Sequence, residues 1–272
     1  MTPSRRSLFL SYAALAVLAL VYCSPFLWML IQSLKTIGGY YVRPPELPWD
    51  PQWGNYGVLL TDPTFIRAAL NSFLVSTAIA TLQVIVSSLA AFAFAALRFG
   101  GRATIFAVVI STLMIPSTAT IIPLFMIVRW LGLINTYGGL ILPFVFTAFG
   151  IFLMRQFFLA LPPNLREAAT IDGATSFQVF ALIYFPLALP GAATLWVLAF
   201  VAYWNSLLWP LIAVSSMEMS VLPQRIALLL GSNSGQPNVL MAAAAISVVP
   251  VLIVFALMQR YYVRGFIMTG TR

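Results

Sequence analysis

Hydrophobic positions along this chain gather into runs longer than a soluble helix needs, separated by short polar stretches. Six runs can be drawn, at roughly 8–31, 68–96, 104–128, 138–158, 186–213 and 239–259. At a helical rise of ~1.5 Å per residue, each is long enough to cross a hydrocarbon core about 30 Å thick. The pattern predicts an all-α integral membrane protein with six transmembrane helices. Gly132, Gly138, Gly139, Pro143 and Gly150 interrupt the fourth run. Its start is therefore expected to be broken or re-entrant, which is tolerated where neighbouring helices cover the freed backbone groups.

One polar stretch stands out, LPPNLREAATIDGATSFQVFALIYFP at 161–186. It carries Glu167 and Asp172, two of only six acidic residues in the chain. Flanked by spans, it must project into water. Pro162 and Pro163 stop the preceding helix. Asn164 followed by Glu167 has capping-box spacing, and Gly173 stands where a helix end favours positive φ. Thr175 and Gln178 repeat the box, predicting a second helix from about Ser176 to Phe185. The local reading is helix, glycine turn, helix. Local chemistry alone fits an ordinary capped loop and a docking element equally.

Composition supports the membrane reading. Hydrophobic residues make up 61% and charged residues 7%, against about 25% charged in soluble domains. A net charge of +8 does not indicate nucleic acid, because the basic residues are scattered singly without a basic stripe. With no histidine and a single cysteine, Cys23, a disulfide framework and a zinc site of the usual Cys/His kind are excluded.

Arg5 and Arg6 precede the first run as in a signal peptide, but no clear small-residue cleavage site follows, so the run reads as a retained signal-anchor. With the N-terminus inside, Arg5, Arg6, Arg98, Arg102, Arg155, Arg166, Arg260, Arg264 and Arg272 fall on the cytoplasmic side. Lys35, Arg43, Arg67, Arg129 and Arg225 fall outside. This bias favours both termini in the cytoplasm and places 161–185 there. Two external segments remain. The first, 35–66, is rich in Pro, Trp and Tyr and suits an interfacial aromatic belt. The second, 214–238, is too long for a simple connection and is expected to lie on the membrane or reach toward an external partner.

Glu167, Ala168, Ala169 and Gly173, within EAATIDGA and followed by FPLALPG at 185–191, resemble the EAA loop of binding-protein-dependent ABC importers. NSF (71–73), FAFAALRFGGR (92–102), IPLFMIVRWLGLINTYGGLILP (122–143), FLMRQFF (152–158), WNSLLWPL (204–211) and MQRYYVRGF (258–266) extend the likeness to the carbohydrate branch, and within it to the six-span, MalG-type permease subunit. Thr170 departs from the more usual bulkier or charged residue, and the tail after Arg264 is short. The resemblance implies a type I importer permease fold, with residues 1–67 forming the first helix and external segment and 68–272 the permease domain. It implies a second homologous permease, two ATPase subunits and an external substrate-binding protein or lipoprotein, in a bacterial or archaeal cytoplasmic membrane. No cofactor is expected on this chain, with ATP and Mg held by the ATPase. Glu167, Ala168, Ala169, Asp172 and Gly173 would couple to that ATPase, and 214–238 would reach toward the binding protein.

The chain contains no GxxxxGK[ST], and its one lysine is Lys35, so it has no usual P-loop. Two rival classes fit less well. A secondary transporter tends to carry ionisable residues or unwound helices at mid-membrane, yet all six acidic residues fall in loops by this topology. A membrane-embedded enzyme needs a nucleophile with its base, or a metal site, and the spans hold neither histidine nor a carboxylate pair. Polar groups within the spans, such as Asn71, Gln83, Ser87, Ser88, Thr112, Ser117 and Asn135, are expected to bond between helices. Trp204 and Asn205, an aromatic beside an amide, are the exception. They suit either contact with a sugar or a fixed bundle crossing.

Overall fold

The computed structural model describes residues 5–42, 46–232 and 236–269, with side chains at 5–7, 10, 232 and 260–269 excepted. Arg43, Pro44, Pro45, the 233–235 part of the turn cluster and Arg272 lie outside the described residues. So do the side chains of Arg5, Arg6, Arg260 and Arg264, and with them the reach of the tail.

Among the described residues every regular element is helical. The order begins α1 (Arg5–Ser33), α2 (Ile37–Tyr41), α3 (Gly54–Thr61), α4 (Pro63–Ala96), α5 (Arg102–Ser111) and α6 (Ser117–Trp130). It continues α7 (Tyr137–Ile141), α8 (Ala148–Leu159), α9 (Asn164–Ile171), α10 (Ser176–Val179) and α11 (Phe185–Leu187). The last elements are α12 (Leu189–Trp204), α13 (Leu208–Ala213), α14 (Leu222–Ser232) and α15 (Pro237–Thr269).

Among the described residues, three stretches are single helices long and apolar enough to span: Ser11–Ser33, Pro63–Ala96 and Pro237–Gln259. Three more are bent pairs, Arg102–Met114 with Ser117–Trp130 at 103°, Tyr137–Phe144 with Ala148–Leu159 at 48°, and Ser176–Leu187 with Leu189–Trp204 at 75°. The break in the fourth run occurs where expected. Those in the third and fifth runs differ from the straight spans read at 104–128 and 186–213, and proline is the cause. Pro116 drives Ile115 out of the helix to φ −85°, ψ 118°, as a residue before proline requires. Pro186 and Pro190 remove two amide donors around Ala188. A π-helical turn, Phe180–Tyr184, closes α10 onto α11. The fifth run then breaks again between Trp204 and Leu208.

The chain divides into two compact units, Met1–Ile66 with Arg225–Pro250, and Arg67–Gln224 with Val251–Arg272. In the first, α1 leaves its apolar side chains exposed almost throughout, as with Phe9 at 73% and Tyr22 at 76%. Such a surface belongs against lipid or another apolar chain. The end of α1 is fixed by Asn55, whose Nδ2 donates to the carbonyls of Ser33 (2.8 Å) and Lys35 (3.0 Å). Asn238 donates in turn to Asn55 Oδ1 at 2.9 Å. Asp62 caps α4 by accepting the Thr64 amide at 2.9 Å, with Pro63 at the first helical position, a pairing that proline's fixed φ favours. Asp62 also pairs with Arg225 at 3.2 Å.

Among its described residues the second unit shows two apolar clusters. One joins α4, α8, the π turn and α12 through Phe92, Met154, Phe158, Tyr184, Ala188 and Leu195. The Phe92 ring lies 5.2 Å from Tyr184 and 5.4 Å from Phe180, close enough for favourable aromatic packing. The other gathers Val75, Ile79, Val128, Leu140, Trp209 and Val221. Asn71 donates to the carbonyls of Glu218 and Ser220, both at 2.9 Å, and Ser72 Oγ accepts the Leu222 amide at 2.7 Å. Asn135, at φ 59°, accepts from the amides of Ser215 and Ser216 and from the Ser216 hydroxyl. The start of the 214–238 segment is thereby pinned on both sides, and the rest begins as α14.

Candidate functional site

The polar stretch folds as helix, turn, helix. Its first cap differs from the sequence expectation. The residue before α9 is Pro163, already helical at φ −62°, ψ −28°, with no side-chain cap. Asn164 lies inside the helix and forms no box with Glu167. Proline's fixed φ suits it to a helix start, so the backbone turns helical one residue earlier than an asparagine cap allows. The second box forms as expected. Gln178 Oε1 accepts the Thr175 amide at 2.8 Å, and Thr175 Oγ1 accepts the Gln178 amide at 3.3 Å.

Gly173 ends α9 at φ +80°. Its amide donates to Thr170 O at 3.1 Å, and the Ala174 amide donates to Ala169 O at 2.9 Å. These are the two bonds of a Schellman ending, which needs a left-handed residue at this point. Ala169 and Ala174 also pack into the Phe92–Phe158 cluster, supplying the apolar contact that accompanies the motif.

The turn sets which face of α9 is free. Ala169 is 8% exposed and seats the helix on its own bundle. Ala168, next to it along the helix, is exposed, as are Glu167, Thr170 and Asp172. Ile171, Phe177 and Leu182 are strongly exposed, at 85%, 68% and 72%. Glu167 stands in the first turn, where a carboxylate is favoured by the helix dipole. Beside α9 lies an open cavity of about 700 Å³, lined by Arg98, Arg102, Arg166, Glu167, Thr170 and Tyr184 among others. The stretch thus presents two carboxylates, one arginine and three apolar side chains, with Arg98 and Arg102 across the cavity, on ground tied to a packed aromatic cluster. Large apolar side chains left exposed in this way mark an interaction surface.

The second region is the break after α12. Trp204 is 2% exposed, and its ring stacks on Phe200 at 5.7 Å, which stacks on Trp196 at 5.3 Å. Asn205 is exposed and ends α12, with Nδ2 donating to Val201 O at 2.8 Å. The two neighbours therefore point to different surroundings. A hollow of about 190 Å³ lies at this break, between the start of α6 and the start of α13. Ser117, Thr118, Thr120, Tyr203, Ser206 and Trp209 line it, with Phe144 at its wall. Gln83 Nε2 donates to the Phe144 carbonyl at 2.6 Å and to the Tyr203 hydroxyl at 3.1 Å. It satisfies a carbonyl freed by the break before α8, as backbone away from water requires. Sequence reasoning singled out Ser117 and Gln83 but missed Thr120, Tyr203, Ser206 and Trp209. Pro116 inside an apolar run was the available signal. Among the described residues no group of three His, Cys, Asp or Glu could hold a metal ion.

The family described as binding-protein-dependent transport system inner membrane component matches residues 83–268. The chain is 32% identical to the lactose transport system permease protein LacG of Rhizobium radiobacter, over 97% of each chain. It is 34% identical to the sn-glycerol-3-phosphate transport system permease protein UgpE of Agrobacterium fabrum, over 92% of each. Its fold is similar to a chain in the crystal structure of a bacterial ABC transporter involved in import of the acidic polysaccharide alginate. That match has a TM-score of 0.82 and 26% identity, and covers 96% of this chain and 99% of that one.

Proposed function

We propose that this chain, which belongs to the binding-protein-dependent transport system inner membrane component family, is a permease subunit that moves a carbohydrate into the cytoplasm. ATP hydrolysis on a separate subunit drives the step. The observation that carries this reading is the end-to-end likeness to LacG, joined to a capped helix that leaves its charged and apolar face free. The working assembly contains a second, homologous permease, two ATPase subunits that hold ATP and Mg, and an external substrate-binding protein or lipoprotein. Both termini lie in the cytoplasm, which the excess of arginines on that side supports. Residues 68–272 form the translocating domain.

Coupling runs through α9. The ATPase docks on Glu167, Ala168, Asp172 and the exposed Ile171. Ala169 and the Gly173 turn convert its movement into movement of the aromatic cluster on α4, α8 and α12. A rigid, close-packed cluster transmits such a push because packed interiors hardly compress.

Substrate passes the break after α12. Hydroxyls of Ser117, Thr120 and Ser206 and the rings of Tyr203 and Trp209 match the polar edges and apolar faces of a sugar. Asn205, exposed at the end of α12, adds an amide at this break, and the buried Trp204 precedes it. The test is co-purification of the ATPase with the permease pair for wild type and Glu167→Lys. The reading expects loss of ATPase from the variant complex with the pair intact. Equal recovery of ATPase with the variant overturns α9 as the docking element.

A further inference from the structure

We propose that the arginine-lined cavity beside α9 is a socket for an acidic segment of the ATPase, one that presents two carboxylates. This rests on the docking of that subunit on α9 and adds to it a contact of opposite charge. The cavity, of about 700 Å³, has two charged walls. One is the link from α4 into α5, with Arg98 and Arg102; the other is α9, with Arg166, Glu167 and Ile171. Tyr184 of the aromatic cluster also lines it.

The arginines are held there without a counter-charge. Gly101, at φ 74°, turns the chain from α4 into α5, and Arg98 and Arg102 meet the same cavity. Arg102 Nη1 donates to Leu97 O at 2.9 Å, which anchors that side chain by one nitrogen. Arg98 is exposed, and no acceptor among the described residues takes a bond from it or from Arg166. Arg166 is half-buried, yet none of its nitrogens is closed off from solvent. Among the described residues the one ion pair is Arg225 with Asp62, so Glu167 neutralises none of the three. Two of the arginines also stand where a helix disfavours them. Arg102 opens α5 and Arg166 lies in the first turn of α9, at the positive end of each helix dipole. Cytoplasmic arginines are expected at the ends of spans, but Arg166 stands on a helix outside them.

The excess of charge selects the occupant. Three guanidiniums less one carboxylate leave two uncompensated positive charges in the lining. Guanidinium forks match carboxylates in two-point pairs, so two Asp or Glu side chains balance them. The location selects the ATPase as their source. Glu167 and Ile171 belong both to this lining and to the docking face of α9, so the subunit that covers the helix covers the opening, and a lipid headgroup would have to vacate it. Glu167 calls for a cation on the partner and the arginines call for anions. A slip along the interface sets like charges together, which penalises wrong registers.

The permease pair, reconstituted in nanodiscs of phosphatidylcholine, is titrated with the purified ATPase subunit at low and at high salt. Arg98→Glu should weaken binding by about tenfold or more at low salt, the ratio that one lost charge-assisted bond produces. The defect should shrink at high salt, where screening removes it. Each acidic residue on the docking face of the ATPase is then changed in turn to Lys, and at least one such change should restore binding to Arg98→Glu while weakening binding to wild type. Arg98 makes no bond to a described residue, and neither the salt dependence nor the rescue would arise from a merely structural role. Glu167→Lys is measured alongside. If it loses the ATPase while Arg98→Glu binds as wild type does, the socket is overturned and docking on α9 stands. If neither variant loses it, both fall. Weakening that no charge reversal on the ATPase restores overturns the socket. A defect seen only when phosphatidylglycerol replaces phosphatidylcholine gives the cavity to an anionic headgroup and overturns it as well.

Discussion

Gly173→Val puts a β-branched residue at φ +80°. Nothing lies within 4 Å of where a Cβ would stand, so the perturbation is purely of the backbone. An L-residue in the left-handed region costs about 1–2 kcal/mol, with β-branched residues the least tolerant. Relief requires φ to turn negative, which breaks the Ala174-to-Ala169 and Gly173-to-Thr170 bonds that end α9. Those two bonds contribute about 1 kcal/mol each, so strain and relief are close in cost, and both loosen the helix from its seat. The spans keep their packing and should insert normally. A series with Asn, Ala and Val at position 173 should fall in that order, since asparagine visits the left-handed region more readily than alanine. The assay is ATP hydrolysis and substrate uptake by the reconstituted complex, measured on the same samples. Hydrolysis per transported molecule should rise along the series while the assembled permease pair stays constant. Wild-type coupling in Gly173→Val, with the complex intact, would refute the account of α9 as a rigidly seated helix.

Other outcomes follow from single contacts. Ala168→Leu should leave permease stability within ~0.5 kcal/mol yet weaken ATPase binding, whereas Ala169→Leu should lower thermal stability of the chain itself by about 1–3 kcal/mol through overpacking. Asn135→Ala combines left-handed strain with three donors left without their acceptor, and should raise hydrogen exchange of 214–221. Burial pushes the Asp62 carboxyl up, but the Thr64 hydroxyl and amide and the Arg225 guanidinium outweigh it and hold the group below the usual carboxylate range. Its stabilisation is therefore complete above the unfolded value of about 3.9 and is lost as pH falls through the lower folded value. Thermal melts of wild type and Asp62→Asn should differ at pH 7 and converge on acidification through that window.

The sequence reached far because hydrophobic length is a coarse and robust signal. Run ends at 31, 96 and 259 fall within two residues of the helices or apolar stretches ending at Ser33, Ala96 and Gln259. The helix–glycine–helix loop was also legible, since Gly173 and the Thr175–Gln178 box act within a few residues of backbone. Asn164 misled because asparagine and proline compete for a helix start and the two prolines prevailed. The bends at Pro116 and Ala188 were hidden by hydropathy, which does not register a missing amide donor. Which alanine of the pair faces outward, and that Trp204 turns inward while Asn205 turns out, depends on the rotation of each helix against its neighbours. That rotation is set by contacts such as Ala169 on the Phe92 cluster, distant in sequence.

The central claim is that this chain carries carbohydrate under the power of a partner docked on α9. Its most direct test is uptake of isotope-labelled mono-, di- and oligosaccharides and sugar derivatives by a strain lacking the chain, complemented with wild type or with Glu167→Lys. The account predicts that energised uptake of at least one such compound disappears on deletion, returns with wild type, and does not return with Glu167→Lys inserted at equal level. Uptake of every compound unchanged by deletion, or full rescue by the variant, would contradict it.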